Sequence, residues 1–147
     1  MTDKKVIGIC SDHAGYELKL HVIGLLHEMG YETEDFGCPS AERCDYPDYA
    51  HPMAQAIQDG KLERGISICG SGNGISMVVN KYSKLRAALC WCVEIAKLAR
   101  QHNDANVLSM PARFISQEEA DQIVKAFFST DFEGGRHIER INKIPIH

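Results

Sequence analysis

Gly65-Ile66-Ser67-Ile68-Cys69 runs directly into Gly70-Ser71-Gly72-Asn73-Gly74. A short apolar run of this kind predicts a strand covered on both faces. Three glycines in the next five residues let the backbone turn tightly and bring its N–H groups against a ligand. A helix to about residue 80 follows. Strand, glycine turn and helix together form the repeating unit of a parallel sheet, and the rest of the chain can be read in the same way.

Working outward, strands are predicted over 5–11, 32–36, 87–92 and 107–110. The second is polar and belongs near an edge. Helices are predicted over 15–29, from Asp45-Tyr46-Pro47 to about 59, over 94–102, from a Ser116–Glu119 capping box to about 129, and over a tail from 133 to about 143. Leu18, Val22, Leu25, Leu26 and Met29 share one side of the first helix, which stops at Gly30. The expectation is one α/β domain spanning 1–147: a doubly wound, Rossmann-like, three-layer fold around a five-stranded parallel sheet. In such sheets ligands gather at the carboxyl ends of the strands. That edge holds Asp12-His13 and the glycine loop, and His102-Asn103 is placed there as well.

At 147 residues, with 44% AVILMFWYC and 24% charged residues, the composition is that of a globular domain and excludes a disordered chain, a collagen and a coiled-coil rod. Sixteen basic against twenty acidic residues argue against a nucleic-acid partner. The longest apolar run, 87–93, is too short to span a membrane. Met1-Thr2-Asp3-Lys4-Lys5 leads into a run too short for an export signal. The six cysteines show neither C-x-x-C nor zinc-finger spacing and read as reduced cytosolic thiols, with no metal site.

The glycine loop at a helix start suits an anion, or an oxygen that becomes anionic during a reaction. Neither nucleotide fingerprint fits. Ile75 stands where the dinucleotide motif needs glycine, and Gly-Lys-Ser/Thr is absent. Cys69, the last strand residue before these amides, is placed where a thiolate is stabilised and can act as base or nucleophile. Cys10, Cys90 and Cys92 read as structural strand residues, the last two pointing to opposite faces. Asp12 is a candidate helix cap, and His21, His27 and His51 read as surface residues. Arg136 and Arg140, four apart, share a helix face that suits a phosphate; the alternative is a solvated face paired with Glu133 and Glu139. The tail lies too far along the chain to fold back onto its own site, which makes it a candidate to serve a neighbouring subunit.

Ser11-Asp12-His13-Ala14-Gly15, Asp45-Tyr46-Pro47, Cys69 to Gly74, Asn80-Lys81, Arg100-Gln101-His102-Asn103-Asp104 and Glu133-Gly134-Gly135-Arg136-His137 together resemble the type B ribose-5-phosphate isomerase family, which includes allose- and galactose-6-phosphate isomerases. The resemblance implies a cofactor-free, metal-free aldose–ketose isomerase working through a cis-enediolate. It implies Cys69 as the base between C2 and C1, and the Gly70, Gly72, Asn73 and Gly74 loop with Ser71 as the enediolate hole. His102 would assist ring opening, with Asp12, Tyr46 and Asn103 near the sugar. His13, Arg113, Arg136 and Arg140 would clamp the phosphate. It also implies a homodimer or tetramer with the site shared between subunits and the last helix and His102 supplied by the partner. Ser71 stands where many members carry Thr. One branch uses a Glu where this chain has Ile75, so the chain falls in the Cys branch. Nothing in this reading explains Met110-Pro111 or Cys90-Trp91-Cys92. Ribose 5-phosphate is the expected substrate, with a six-carbon sugar phosphate as the alternative and a non-catalytic sugar-phosphate binder behind it.

Overall fold

The structure, a computed structural model, describes residues 5–146. The stretch Met1 to Lys4, on which most of the export-signal reading falls, lies outside the described residues. In chain order the strands are β1 (Val6–Ser11), β2 (Glu32–Asp35), β3 (Arg64–Cys69), β4 (Ala87–Leu89) and β5 (Val107–Pro111). The helices are α1 (Tyr16–Glu28), α2 (Pro47–Gln58), α3 (Asn73–Val79), α4 (Val93–Asn103), α5 (Gln117–Ser129) and α6 (His137–Asn142), with a short 3-10 turn at His13–Gly15. All strand pairs are parallel, in the order β2-β1-β3-β5-β4. No helix among the described residues is long and apolar enough to cross a membrane.

The strand alternation assigns two cores. Ile7 and Ile9 of β1 and Ile66 and Ile68 of β3 pack with Val22, Leu26, Ala96, Ile123 and Phe127, so α1, α4 and α5 cover one face. Cys10 and Cys69, on the opposite parity, pack with Met53, Ile57, Ile75 and Val79, so α2 and α3 cover the other. A side chain on Gly65 would meet Met53 Sδ at 3.0 Å, so glycine lets α2 lie close on the sheet. The chain leaves β1 in one direction to β2 and in the other to β3. The carboxyl ends of β1 and β3 therefore form a topological switch point, where such sheets open a crevice.

The capping box forms as read: Ser116 Oγ accepts from the Glu119 N–H at 3.1 Å, and the Ser116 N–H donates to Glu119 Oε1 at 2.9 Å. The fourth strand is shorter than its apolar run predicts. As an edge strand paired only with β5, it stops at Leu89. Trp91 turns out to solvent, and Cys92 is the N-cap of α4. Cys90 and Cys92 are thus not strand residues. Cys90 is fully buried, and burial moves its thiol from 9.0 up to about 12. The unfolded chain sheds this proton first, so the contribution to stability is whole below pH 9 and is lost as pH climbs from 9 toward 12. Comparing urea midpoints of the parent and Cys90→Ala between pH 9 and 11 should show a parental slope steeper by about 1 kcal/mol per pH unit.

Lys19 lies within the apolar stripe of α1. It is 1% exposed, and its Nζ donates to Asp35 Oδ1 (2.8 Å), Asp35 Oδ2 (3.0 Å) and the Cys38 carbonyl (2.6 Å). The clamp ties α1 to the end of β2 and so fixes one wall of the crevice. Lys19→Met should cost about 1.5–3 kcal/mol in a chemical denaturation curve, the range for hydrogen bonds to a charged group. The partly exposed Asp35 would be left to water. His21, read as a surface residue, is half-buried and lies 2.7 Å from Asp121 Oδ1, joining α1 to α5.

Candidate active site

Three strand ends meet at one level, because Ser11 pairs with Ile68 and Cys69 with Pro111. The loops leaving them are joined by backbone bonds: Asp12 N–H to the Ile68 carbonyl (3.1 Å), Ala112 N–H to the Cys69 carbonyl (2.9 Å) and Arg113 N–H to the Gly70 carbonyl (3.0 Å). Cys69 is 5% exposed, and its Sγ accepts from the Gly72 N–H at 3.1 Å. Gly72 makes this possible. Its φ of +78° is a conformation side chains rarely adopt, and a Cβ there would strike Leu89. The Asn73 N–H donates to Ser71 Oγ at 3.2 Å, and Asn73 opens α3. Ile75, where one family branch has an acid, is fully buried in the second core.

Around this loop the structure gathers Asp12, His13, Tyr46 and Arg113. Asp12 is buried and accepts from the Gly15 N–H at 3.1 Å, so the capping role and a place at the crevice coexist. His13 Nδ1 accepts from the Cys44 N–H at 3.3 Å, which leaves the proton of the neutral ring on Nε2 as a donor. Tyr46 precedes Pro47 at the start of α2 and presses on Gly74, where a Cβ would lie 2.6 Å from the phenol oxygen. Arg113 is exposed and runs along Gly70, whose added Cβ would lie 3.3 Å from its Nη1. Two of the other thiols are held in the protonated form. Burial pushes Cys10 far up, and burial together with the adjacent Cys38 pushes Cys44 up to about 11.

His102 and Asn103 lie elsewhere, which corrects their placement at the carboxyl edge. Helix α4 leaves the carboxyl end of β4 and ends where β5 begins, so its last turn sits at the amino edge. Asn106, three residues on, accepts through its carbonyl from the N–H of Gly65, at the start of β3. The length of β5, roughly 16 Å at strand rise, separates the two groups. Arg86 Nε donates to the Asn103 carbonyl (2.9 Å). Arg100, 3% exposed, donates to Asp104 Oδ1 (2.8 Å), the Ala105 carbonyl (2.6 Å) and the Thr130 carbonyl (3.2 Å), so this turn is held from both sides. The tail docks at the same end, where the Glu133 N–H donates to the Gln101 carbonyl at 3.0 Å. Its helix α6 is shorter than predicted, and Arg136 stands just before it. Arg136 and Arg140 are exposed, and among the described residues neither pairs with Glu133 or Glu139. The folded chain thus carries two half-sets of candidate residues on opposite edges. Among the described residues one trio, His102, Glu133 and His137, has the chemistry of a metal ligand set, its ligand atoms all within 4.8 Å of one another.

The family model described as Ribose/Galactose Isomerase matches residues 7–144. Ribose-5-phosphate isomerase B of Escherichia coli K12 is 44% identical over 140 residues, covering 95% of this chain and 94% of that protein. D-erythrulose-4-phosphate isomerase of Pectobacterium atrosepticum is 39% identical over 139 residues, covering 94% and 91%. The crystal structure of a ribose 5-phosphate isomerase from Thermotoga maritima superimposes with a TM-score of 0.94 at 48% identity, covering 97% of this chain and 99% of that one. Fold, glycine loop and near-complete alignment agree, and the chain belongs to the ribose/galactose isomerase family.

Proposed function

We propose that the chain interconverts ribose 5-phosphate and ribulose 5-phosphate, with Cys69 as the base. The observation carrying this reading is the Cys69 sulfur held 3.1 Å from the Gly72 amide at the mouth of a glycine loop. Moving a carbon-bound proton needs a base within reach and donors for the oxygen that gains charge. Here the base accepts from the same loop whose remaining amides, with Ser71, are available to that oxygen. Cys69 takes the proton from C2 and returns it to C1, the loop amides hold the cis-enediolate between the two transfers, and the O2 hydroxyl proton passes to O1, so the C1 carbonyl becomes a hydroxyl as the C2 carbonyl forms. The protein is regenerated unchanged, with no cofactor in the cycle.

Phosphate binding and ring opening require the second half-set. Arg136, Arg140, His102 and Asn103 lie a strand's length from their own Cys69, so we assign them to the site of a second copy in a homodimer or tetramer. There they join His13 and Arg113 around the phosphate, and Asp12 and Tyr46 around the sugar. Distant phosphate contacts hold the reacting carbons in register and lower the entropic part of the barrier. The six free cysteines support a reducing, cytoplasmic setting.

Chain length of the sugar is the finer question, since one carbon is worth only about 1–3 kcal/mol. The relative that acts on D-erythrulose 4-phosphate makes a four-carbon sugar the specific rival. Measured kcat/KM for ribose 5-phosphate should exceed that for the four-carbon, allose and galactose phosphates. A higher value for any of these reassigns the substrate. Binding with no exchange of the C2 hydrogen into deuterated solvent would reduce the protein to a sugar-phosphate sensor.

A further inference from the structure

The last turn of α4 and the turn before α6 bring three titratable side chains together. The rings of His102 and His137 stack with centroids 4.4 Å apart and planes 14° apart. Both Nε2 atoms face one carboxylate oxygen, Glu133 Oε1, at 3.9 Å for His102 and 3.6 Å for His137. His137 is 8% exposed, and the Glu133 backbone is pinned to Gln101, one residue before His102.

A metal is one chemistry such a trio offers, but the stacking argues against it. An ion must lie close to the plane of each imidazole that binds it, and two nearly parallel stacked planes meet only far outside the cluster. The alternative uses the geometry as it stands. At 3.9 Å Glu133 Oε1 does not hydrogen-bond His102, so it acts through its charge: a carboxylate beside Nε2 favours the proton on that nitrogen and leaves Nδ1 as the nitrogen that meets substrate. The buried His137 ring forms the wall that keeps His102 from turning away.

We propose that Glu133 is a positioning residue for ring opening, its charge setting the tautomer of His102 while the stacked His137 ring holds that imidazole in place. This rests on the ring-opening role of His102 in the reading above. In that step the bond between C1 and the ring oxygen breaks and the C1 carbonyl forms. One proton passes from the anomeric hydroxyl through His102 to the ring oxygen, and His102 ends as it began. Glu133 neither gains nor loses a proton.

The test separates substrates that must be opened from those that cannot close. Ribose 5-phosphate is a furanose. Erythrose 4-phosphate has its only ring-closing oxygen esterified and is acyclic, as is ribulose 5-phosphate. Glu133→Gln keeps the size and the backbone bond to Gln101. It should lower kcat for ribose 5-phosphate about 10-fold or more, in the range seen when the partner orienting a functional imidazole is removed. Turnover of erythrose 4-phosphate, and wash-in of solvent deuterium at C1 of ribulose 5-phosphate, should change less than about twofold. In a His102→Asn background the same substitution should have no further effect on ribose 5-phosphate turnover. Equal losses on cyclic and acyclic substrates, an unchanged kcat for ribose 5-phosphate, or additive losses in the double variant would each overturn the role of Glu133. Failure of the parent enzyme to isomerise any of these sugars would instead remove the underlying reading.

Discussion

Cys69→Ala should lower kcat for ribose 5-phosphate by about 10²–10⁴-fold, the span contributed by a positioned general base, while sugar-phosphate binding persists. The two quantities separate because the proposed mechanism assigns Cys69 to the reacting carbons and other residues to the phosphate. Truncation removes the proton acceptor and leaves His13, Arg113 and the loop amides in place. The fold should tolerate it. Cys69 is a small buried side chain in the core that also holds Met53, Ile75 and Val79, and alanine occupies the same place with one atom fewer. The measurement is steady-state turnover beside calorimetric binding of ribose 5-phosphate. A second readout is exchange of the C2 hydrogen with deuterated solvent, which should stop together with turnover. Turnover in the variant within tenfold of the parent would remove Cys69 from the mechanism and turn attention to Asp12 as the remaining buried acid-base group at the crevice.

The carboxyl-edge half of this site was legible in the residues themselves. A short apolar run, three glycines and a helix start define a strand–turn–helix unit. The rule that ligands collect at carboxyl strand ends then brings Asp12 and Cys69 together without any knowledge of strand order. The other half was not legible from local pattern. Whether His102 lies at the carboxyl or the amino edge depends on which way α4 runs relative to β5, a matter of topology that periodicity does not encode. Its helical spacing fits either edge, and the fold puts it at the amino edge. Only the resemblance, which assigns His102 to a partner chain, was compatible with the observed position. The strand predicted over 87–92 failed for a related reason. Apolar character marks burial, and Cys90 is buried, but ladder length is set by neighbours, and an edge strand has only one. Lys19 and Glu133 carried no sequence signal, because a lysine in an apolar stripe and a glutamate beside arginines both read as solvated charges until the partners are seen.

The separation of the half-sets gives a second large effect, one that a site built within one chain would not show. Cys69→Ala is inactive through its carboxyl edge and carries an intact tail. The double variant Arg136→Ala/Arg140→Ala keeps Cys69 and loses two of the cations assigned to the phosphate, which should cost about 10²-fold or more in kcat/KM by loss of substrate register. Each pure preparation should therefore be nearly silent. When the two are co-expressed in equal amounts, a two-fold dimer with exchanged tails contains one site carrying both defects and one carrying neither. Half of randomly assorted dimers are hybrids, and each has one of two sites intact, so activity should recover to about a quarter of the parent. If each chain supplied its own arginines, every site in the mixture would hold one defect and no recovery would follow. The same logic predicts that a chain held as a monomer, verified by light scattering, loses turnover even though Cys69 and its glycine loop are whole, because the guanidinium groups assigned to the substrate's charged end sit on the far edge of their own sheet.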